Sequence, residues 1–107
     1  TLPKKQSKVQ LAVSSINQTD ELEFQLWLSI DGEPIEDASS ASLAVFGSDG
    51  VVLFSLGPVS TKSSIGVFRL LRANASATVV SGRAYTVYAT VSRGSETYAS
   101  VTSITVF

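Results

Sequence analysis

Residues 22–30, LEFQLWLSI, alternate without a break. Leu22, Phe24, Leu26, Leu28 and Ile30 share one parity, and Glu23, Gln25, Trp27 and Ser29 share the other. A period of two puts the apolar set on one face of an extended strand and the polar set on the opposite face. A chain with this segment must cover one face of a sheet. Its one tryptophan then points away from the core.

Further segments follow the same rule. In 8–14, Val9, Leu11 and Val13 fall on one face, and in 41–47 Leu43 and Val45 point inward while Phe46 takes the opposite phase. Segment 84–92 places Tyr85, Val87, Ala89 and Val91 inward. Segments 51–56, 65–72 and 96–107 complete a set of seven, although Val67, Phe68, Leu70 and Leu71 cannot all share one face. Gly66 is the expected site of a bulge there. The connections are rich in turn formers: DGEPIED at 31–37, GSDG at 47–50 and RGS at 93–95. Loops are expected at 16–21, 57–64 and 73–82. Ser and Thr supply 27 of the 107 residues, as suits strands joined by polar turns. Seven strands at this spacing predict an all-β, seven-stranded antiparallel sandwich with Greek-key connections rather than βαβ units. The polar, proline-containing start predicts a flexible arm over 1–7 ahead of one domain over 8–107, long enough to bury a core of its own.

Composition removes several chemistries. Without cysteine there is no disulfide and no thiolate, and without histidine the usual general base and the commonest metal ligand are missing. A net charge of −1 supplies no field for nucleic acid. The apolar runs are too short for a membrane-spanning helix, and no signal peptide is visible. Thr1 fits a complete cytosolic product that has lost only its initiator methionine; a fragment of a longer protein is the rival expectation.

Val79, Gly82 and Tyr85 stand three residues apart, just ahead of an alternating strand. This spacing resembles the tyrosine corner of immunoglobulin-like and fibronectin-type sandwiches. The longer pattern DGEPIEDAS…LAVFGSDGVVLF…GVFRLL…SGRAYTVYATV is similar to immunoglobulin-like domains of bacteria and phages, over residues 22–107. The resemblance implies that the Tyr85 hydroxyl bonds back to the crossing loop and that Gly82 and Tyr85 are structural. It departs from antibody domains, which carry an inter-sheet cysteine pair and a core tryptophan.

Asp31, Glu33, Glu36 and Asp37 put four carboxylates into seven residues, a composition that suits calcium. Pro34 and Ile35 interrupt the alternate spacing of a calcium loop, so a solvated hairpin is expected and no metal or cofactor is assigned. Paired carboxylates for glycoside hydrolysis need a cleft, and a Ser-Lys pair needs a lysine outside the arm or the loop that holds Lys62. No catalytic residue is assigned, and the protein is expected not to be an enzyme. Both asparagines head sequons, Asn17-Gln18-Thr19 and Asn74-Ala75-Ser76, which are suggestive of glycosylation but, with no secretory signal visible in a chain this rich in Ser and Thr, are read as coincidence.

Two features point to binding. The arm, with Leu2, Lys4, Lys5 and Lys8, is suited to ordering on a neighbour. The outward aromatics are Trp27 and, on a second sheet, Tyr88 and Tyr98. Pairing 84–92 with 96–106 through a three-residue Arg93-Gly94-Ser95 turn sets Val87 opposite Val101 inside, with Tyr88 and Tyr98 diagonal outside. The resulting expectation is a non-enzymatic structural and interaction protein of a phage virion, decorating or cementing the capsid surface. Its partners are capsid subunits or copies of itself, not nucleic acid and not the membrane interior. The alternative is a module of an extracellular or bacterial cell-surface protein that binds carbohydrate, such as a surface glycan, or another partner through Trp27 or Tyr88 and Tyr98.

Overall fold

A computed structural model describes residues 7–60, 62–64 and 66–106. The protein is all-β, with one turn of 3-10 helix at Ala75–Ala77. The strands are β1 (Ser7–Val13), β2 (Leu22–Ile30), β3 (Glu33–Pro34), β4 (Ser40–Phe46) and β5 (Val52–Val59), then β6 (Lys62–Ser64), β7 (Val67–Arg72), β8 (Ala84–Arg93) and β9 (Glu96–Thr105). They form two antiparallel sheets. One has the order β1-β2-β7-β6, with β3 added on β2; the other has the order β5-β4-β8-β9. Each of the seven expected strands overlaps one of these segments. The count among the described residues is nine, because β3 and β6 are too short to show a period.

The alternation of β2 is reproduced in its burial: Leu22, Phe24, Leu26 and Leu28 are buried, and Glu23, Gln25 and Trp27 are half-buried on the far side. Ile30 does not complete the series. It is only half-buried, and Ser29 is buried instead, its hydroxyl donating to the Lys8 carbonyl at 3.4 Å. Opposite β2, the second sheet presents Leu43, Val45, Phe54, Val87, Ala89 and Val91. Phe24 meets Phe54 across the gap with ring centroids 6.3 Å apart and planes tilted by 57°. Each such buried side chain contributes about 1.5–3 kcal/mol of gross stabilisation. The ambiguous β7 segment resolves with Phe68 and Leu70 inward and Val67 and Leu71 outward. Arg72 then falls on the inward parity at the end of the strand, and its guanidinium lies 4.6 Å from the Phe54 ring centroid.

Turn chemistry sets the registers. Ile30 pairs with Glu33, so Asp31-Gly32 is a two-residue turn with φ of 54° and 84°, the paired positive values of a type I′ turn. Pro34 sits on the short β3, opposite Ser29. Gly66 forms a turn rather than a bulge: its φ is 76°, and a Cβ there would stand 2.7 Å from the Ile35 carbonyl oxygen. The irregular pairing falls next door, within β6.

The largest correction concerns β8 and β9. Arg93 pairs with Glu96, so the turn is Gly94-Ser95 alone, with Gly94 at φ 59°. A turn one residue shorter than expected moves every partner by one. Val87 faces Thr102, Tyr88 faces Val101, and Val91 faces Tyr98. Tyr98 therefore belongs to the inward parity and packs against the core, not beside Tyr88 on the outer face.

Candidate functional site

The outer face of the four-stranded sheet is built by the alternate residues that β4, β5, β8 and β9 do not bury. Its rows follow from the registers. One row runs Ser42, Thr90, Ala99, with the Ser42 and Thr90 hydroxyls 2.6 Å apart. The next runs Ser55, Ala44, Tyr88, Val101, and the third runs Val52, Phe46, Thr86, Ser103. No residue in these rows is ionisable at neutral pH. Small hydroxyls and methyls form the floor. Tyr88 (44 % exposed), Val101 (66 % exposed) and Val52 rise from it, with Phe46 half-buried between strands. Arg93 and Glu96, the last pair before the hairpin turn, carry the inward parity and lie outside these rows.

The outer face of the other sheet differs in kind. Trp27 is half-buried and faces Gln10 across β1, and Lys8 is exposed one pair further on, opposite Ser29. Arg69 donates from Nε to Glu23 at 2.8 Å, and Leu71 is exposed beside that pair. Here charges and amides surround the aromatic. Ser7 and Lys8 lie in β1, so the strand begins inside the stretch expected as an arm. Leu2, Lys4 and Lys5 lie outside the described residues.

The remaining candidates scatter. Asp37 pairs with Arg93 Nε at 2.9 Å, beside the Gly94-Ser95 turn. Among the described residues no three acidic side chains converge in a way that could hold a metal ion. A shallow cleft runs past Gly47, Asp49, Thr78, Val80, Arg83 and Tyr85 and holds one carboxylate and one guanidinium. The sequon residues take part in local structure. Asn17 Oδ1 accepts from the Thr19 amide (3.0 Å), the Thr19 hydroxyl (2.7 Å) and the Glu21 amide (3.0 Å). Asp20 accepts from the Ser76 amide at 3.0 Å and the Ser76 hydroxyl at 2.8 Å, and its carbonyl accepts from the Ala75 amide at 2.8 Å. The two sequon loops are thus tied together at one end of the molecule.

Tyr85 is buried, and its hydroxyl accepts from the Val80 amide at 2.6 Å. The Gly82 amide, in a turn with φ 87°, donates to the Val106 carbonyl at 2.6 Å. Tyr85 thus holds the crossing loop against the start of β8, and Gly82 ties the same loop to the chain just past the end of β9. Tyr98 donates its hydroxyl to Glu96, and that bond, with the negative charge it serves, holds the phenol above the usual tyrosine range.

Sequence reasoning placed Trp27, Phe46 and Tyr88 on outer faces and missed Val101 and Val52. A three-residue turn sets Val101 inward; the observed two-residue Gly94-Ser95 turn exposes it. No family model matches the chain, and neither a curated protein nor a solved structure matches it.

Proposed function

We propose that this protein is a non-enzymatic interaction module of immunoglobulin-like topology that docks through the outer face of its four-stranded sheet onto a larger assembly. The strand orders support the topology: β1-β2-β7-β6 against β5-β4-β8-β9 corresponds to A-B-E-D against C′-C-F-G in a Greek-key sandwich. The Val80–Tyr85 bond sits where such domains carry their tyrosine corner.

One observation carries the docking reading. The charge-free rows around Tyr88 leave three large apolar side chains exposed on one face, two of them neighbours. Scattered apolar residues are ordinary on a surface, but depletion of charge around an aromatic anchor is the composition of an interface core. The resemblance to phage domains makes the capsid surface the foremost assembly, with repetition across a lattice multiplying weak contacts. The test is occupancy on particles from the native source. Tyr88→Ser together with Val52→Ser should lower occupancy at least tenfold while leaving the melting temperature within a few degrees. Unchanged occupancy overturns the reading. Deleting residues 1–8 in parallel measures the contribution of the arm.

A second reading rests on the opposite face. Trp27 with Gln10 and Gln25 offers a ring for stacking beside amides that both donate and accept, a chemistry suited to a neutral saccharide. Loss of glycan retention in Trp27→Ala would support it, and absence of retention by the wild type on a glycan array would remove it.

A further inference from the structure

The four strand edges of the molecule are not equivalent. An open edge carries unpaired amides and carbonyls and is a template for another strand unless something blunts it. On β5 the pairing with β4 is broken by two register shifts, and Gly57-Pro58 lies within one of them. The edge strand β6 is three residues long and irregular. β1 carries Lys8, and its Val9 carbonyl is occupied by the Ser100 hydroxyl at 3.2 Å. β9 lacks these interruptions, and β1 lies beside its inward side, where the Ser100 hydroxyl reaches the Val9 carbonyl. β9 makes ten consecutive pairs with β8 without a shift, and from Thr97 to Thr105 it has no charge, proline or glycine. Thr97, Tyr98, Val101, Thr102, Ile104 and Thr105 are all strand-favouring types. Among the described residues no strand pairs with its far side.

We infer that β9 pairs antiparallel with β9 of a second copy of this chain, about a twofold axis at Val101, joining the two four-stranded sheets into one of eight. The sequence of β9 selects this occupant. Rotation about Val101 sets Tyr98 opposite the copy's Ile104 and Ser100 opposite its Thr102, inward residues against inward residues. Thr97 meets Thr105 and Ala99 meets Ser103 on the outer side, so the parity of both faces is kept through the joint. At the axis Val101, the most exposed large apolar side chain among the described residues, meets its own copy. The row Ala44, Tyr88, Val101 then continues as Val101, Tyr88, Ala44 of the second copy. Two Glu96 carboxylates fall at opposite ends of the joint, and a net charge of −1 per chain sets little repulsion against it.

This goes beyond the docking reading and does not depend on it, since it concerns the isolated protein. The test is sedimentation velocity across a dilution series, joined to oxidative cross-linking. The chain has no cysteine, so an introduced thiol has only its copy to meet. Val101→Cys should give a covalent dimer. Thr97→Cys alone should give none, because the two thiols would lie about 27 Å apart along the joint. Thr97→Cys with Thr105→Cys should again give a covalent dimer. Val101→Lys, on an exposed site, should weaken dimerisation at least tenfold with an unchanged monomer fold. A monomer at millimolar concentration, or a dimer in which Val101→Cys fails to cross-link, overturns the inference.

Discussion

The backbone amide of Val80 donates to the hydroxyl of Tyr85 at 2.6 Å, fastening the crossing loop to the first turn of the strand it leads into. Removing the acceptor leaves a partly buried amide without a partner, which costs about 1–3 kcal/mol. Tyr85→Phe is therefore expected to lower the melting temperature by roughly 4–8 °C per kcal/mol lost for a domain of this size. Thermal unfolding followed by circular dichroism checks it, and a shift under 2 °C would show the bond to be dispensable.

The latch between Asp20 and Ser76 makes a graded prediction. Asp20 accepts two side-chain-directed bonds from Ser76, one from the amide and one from the hydroxyl. Ser76→Ala removes one and is expected to cost about 0.5–1.5 kcal/mol. Asp20→Ala removes both and also places alanine at φ 60°, where asparagine or aspartate is tolerated. It should cost more than Ser76→Ala, and Asp20→Asn should fall between the wild type and Asp20→Ala. Urea unfolding midpoints give the order directly.

Phe24 and Leu71 separate core from surface. Phe24 is fully buried and packed on Phe54 across the two sheets, whereas Leu71 is 39 % exposed on an outer face. Phe24→Ala is expected to cost about 3–5 kcal/mol, from lost burial plus the cavity. Leu71→Ala should stay within about 0.5 kcal/mol. Comparable losses for both in chemical denaturation would contradict the assignment of faces.

Gly66 and Gly82 both have positive φ, but only Gly66 is crowded. A Cβ at Gly66 would stand 2.7 Å from the Ile35 carbonyl oxygen, and at Gly82 nothing lies within 4 Å. Gly82→Ala should therefore carry only the left-handed backbone cost of about 1–2 kcal/mol. Gly66→Ala should carry that cost and a displacement of the Ile35 backbone, and so melt measurably lower than Gly82→Ala.

The Tyr98 phenol gives a titration. Its hydrogen bond to Glu96, with desolvation and the nearby carboxylate charge adding to it, raises its pKa above 10.0 in the folded protein. In the unfolded chain the same phenol ionises at its ordinary value. Between the two values the unfolded state binds fewer protons, so this contribution to stability is full below pH 10 and is lost as pH rises through the folded pKa. Absorbance titration at alkaline pH should show the Tyr98 phenol ionising late, and Glu96→Gln should move it back toward the ordinary value.

How far the sequence was legible depends on the range of each signal. Period two is local, so the faces of β2, β4 and β8 could be read directly, and with them the outward setting of Trp27, Phe46 and Tyr88. Register is set by turn length. Counting Arg93 in the turn rather than in the strand was enough to exchange the two faces of β9, which hid Val101 and misplaced Tyr98. β3 and β6 are shorter than one full period of evidence for a strand. The link between Asp20 and Ser76 spans 56 positions and has no local signature at either end. The Tyr85 bond was legible because it closes over only five positions. The docking face was legible only in part, since its lack of charge emerges when four separated strands are laid side by side.

The account's central claim is that the face centred on Tyr88 is the one covered in the native assembly. Hydroxyl-radical footprinting of the assembled form against the free protein tests it most directly, because the protein carries a reactive aromatic on each outer face. The account predicts that oxidation of Tyr88 falls severalfold on assembly while Trp27 reacts as it does in the free protein. Unchanged oxidation of Tyr88 with protection confined to Trp27 would contradict it.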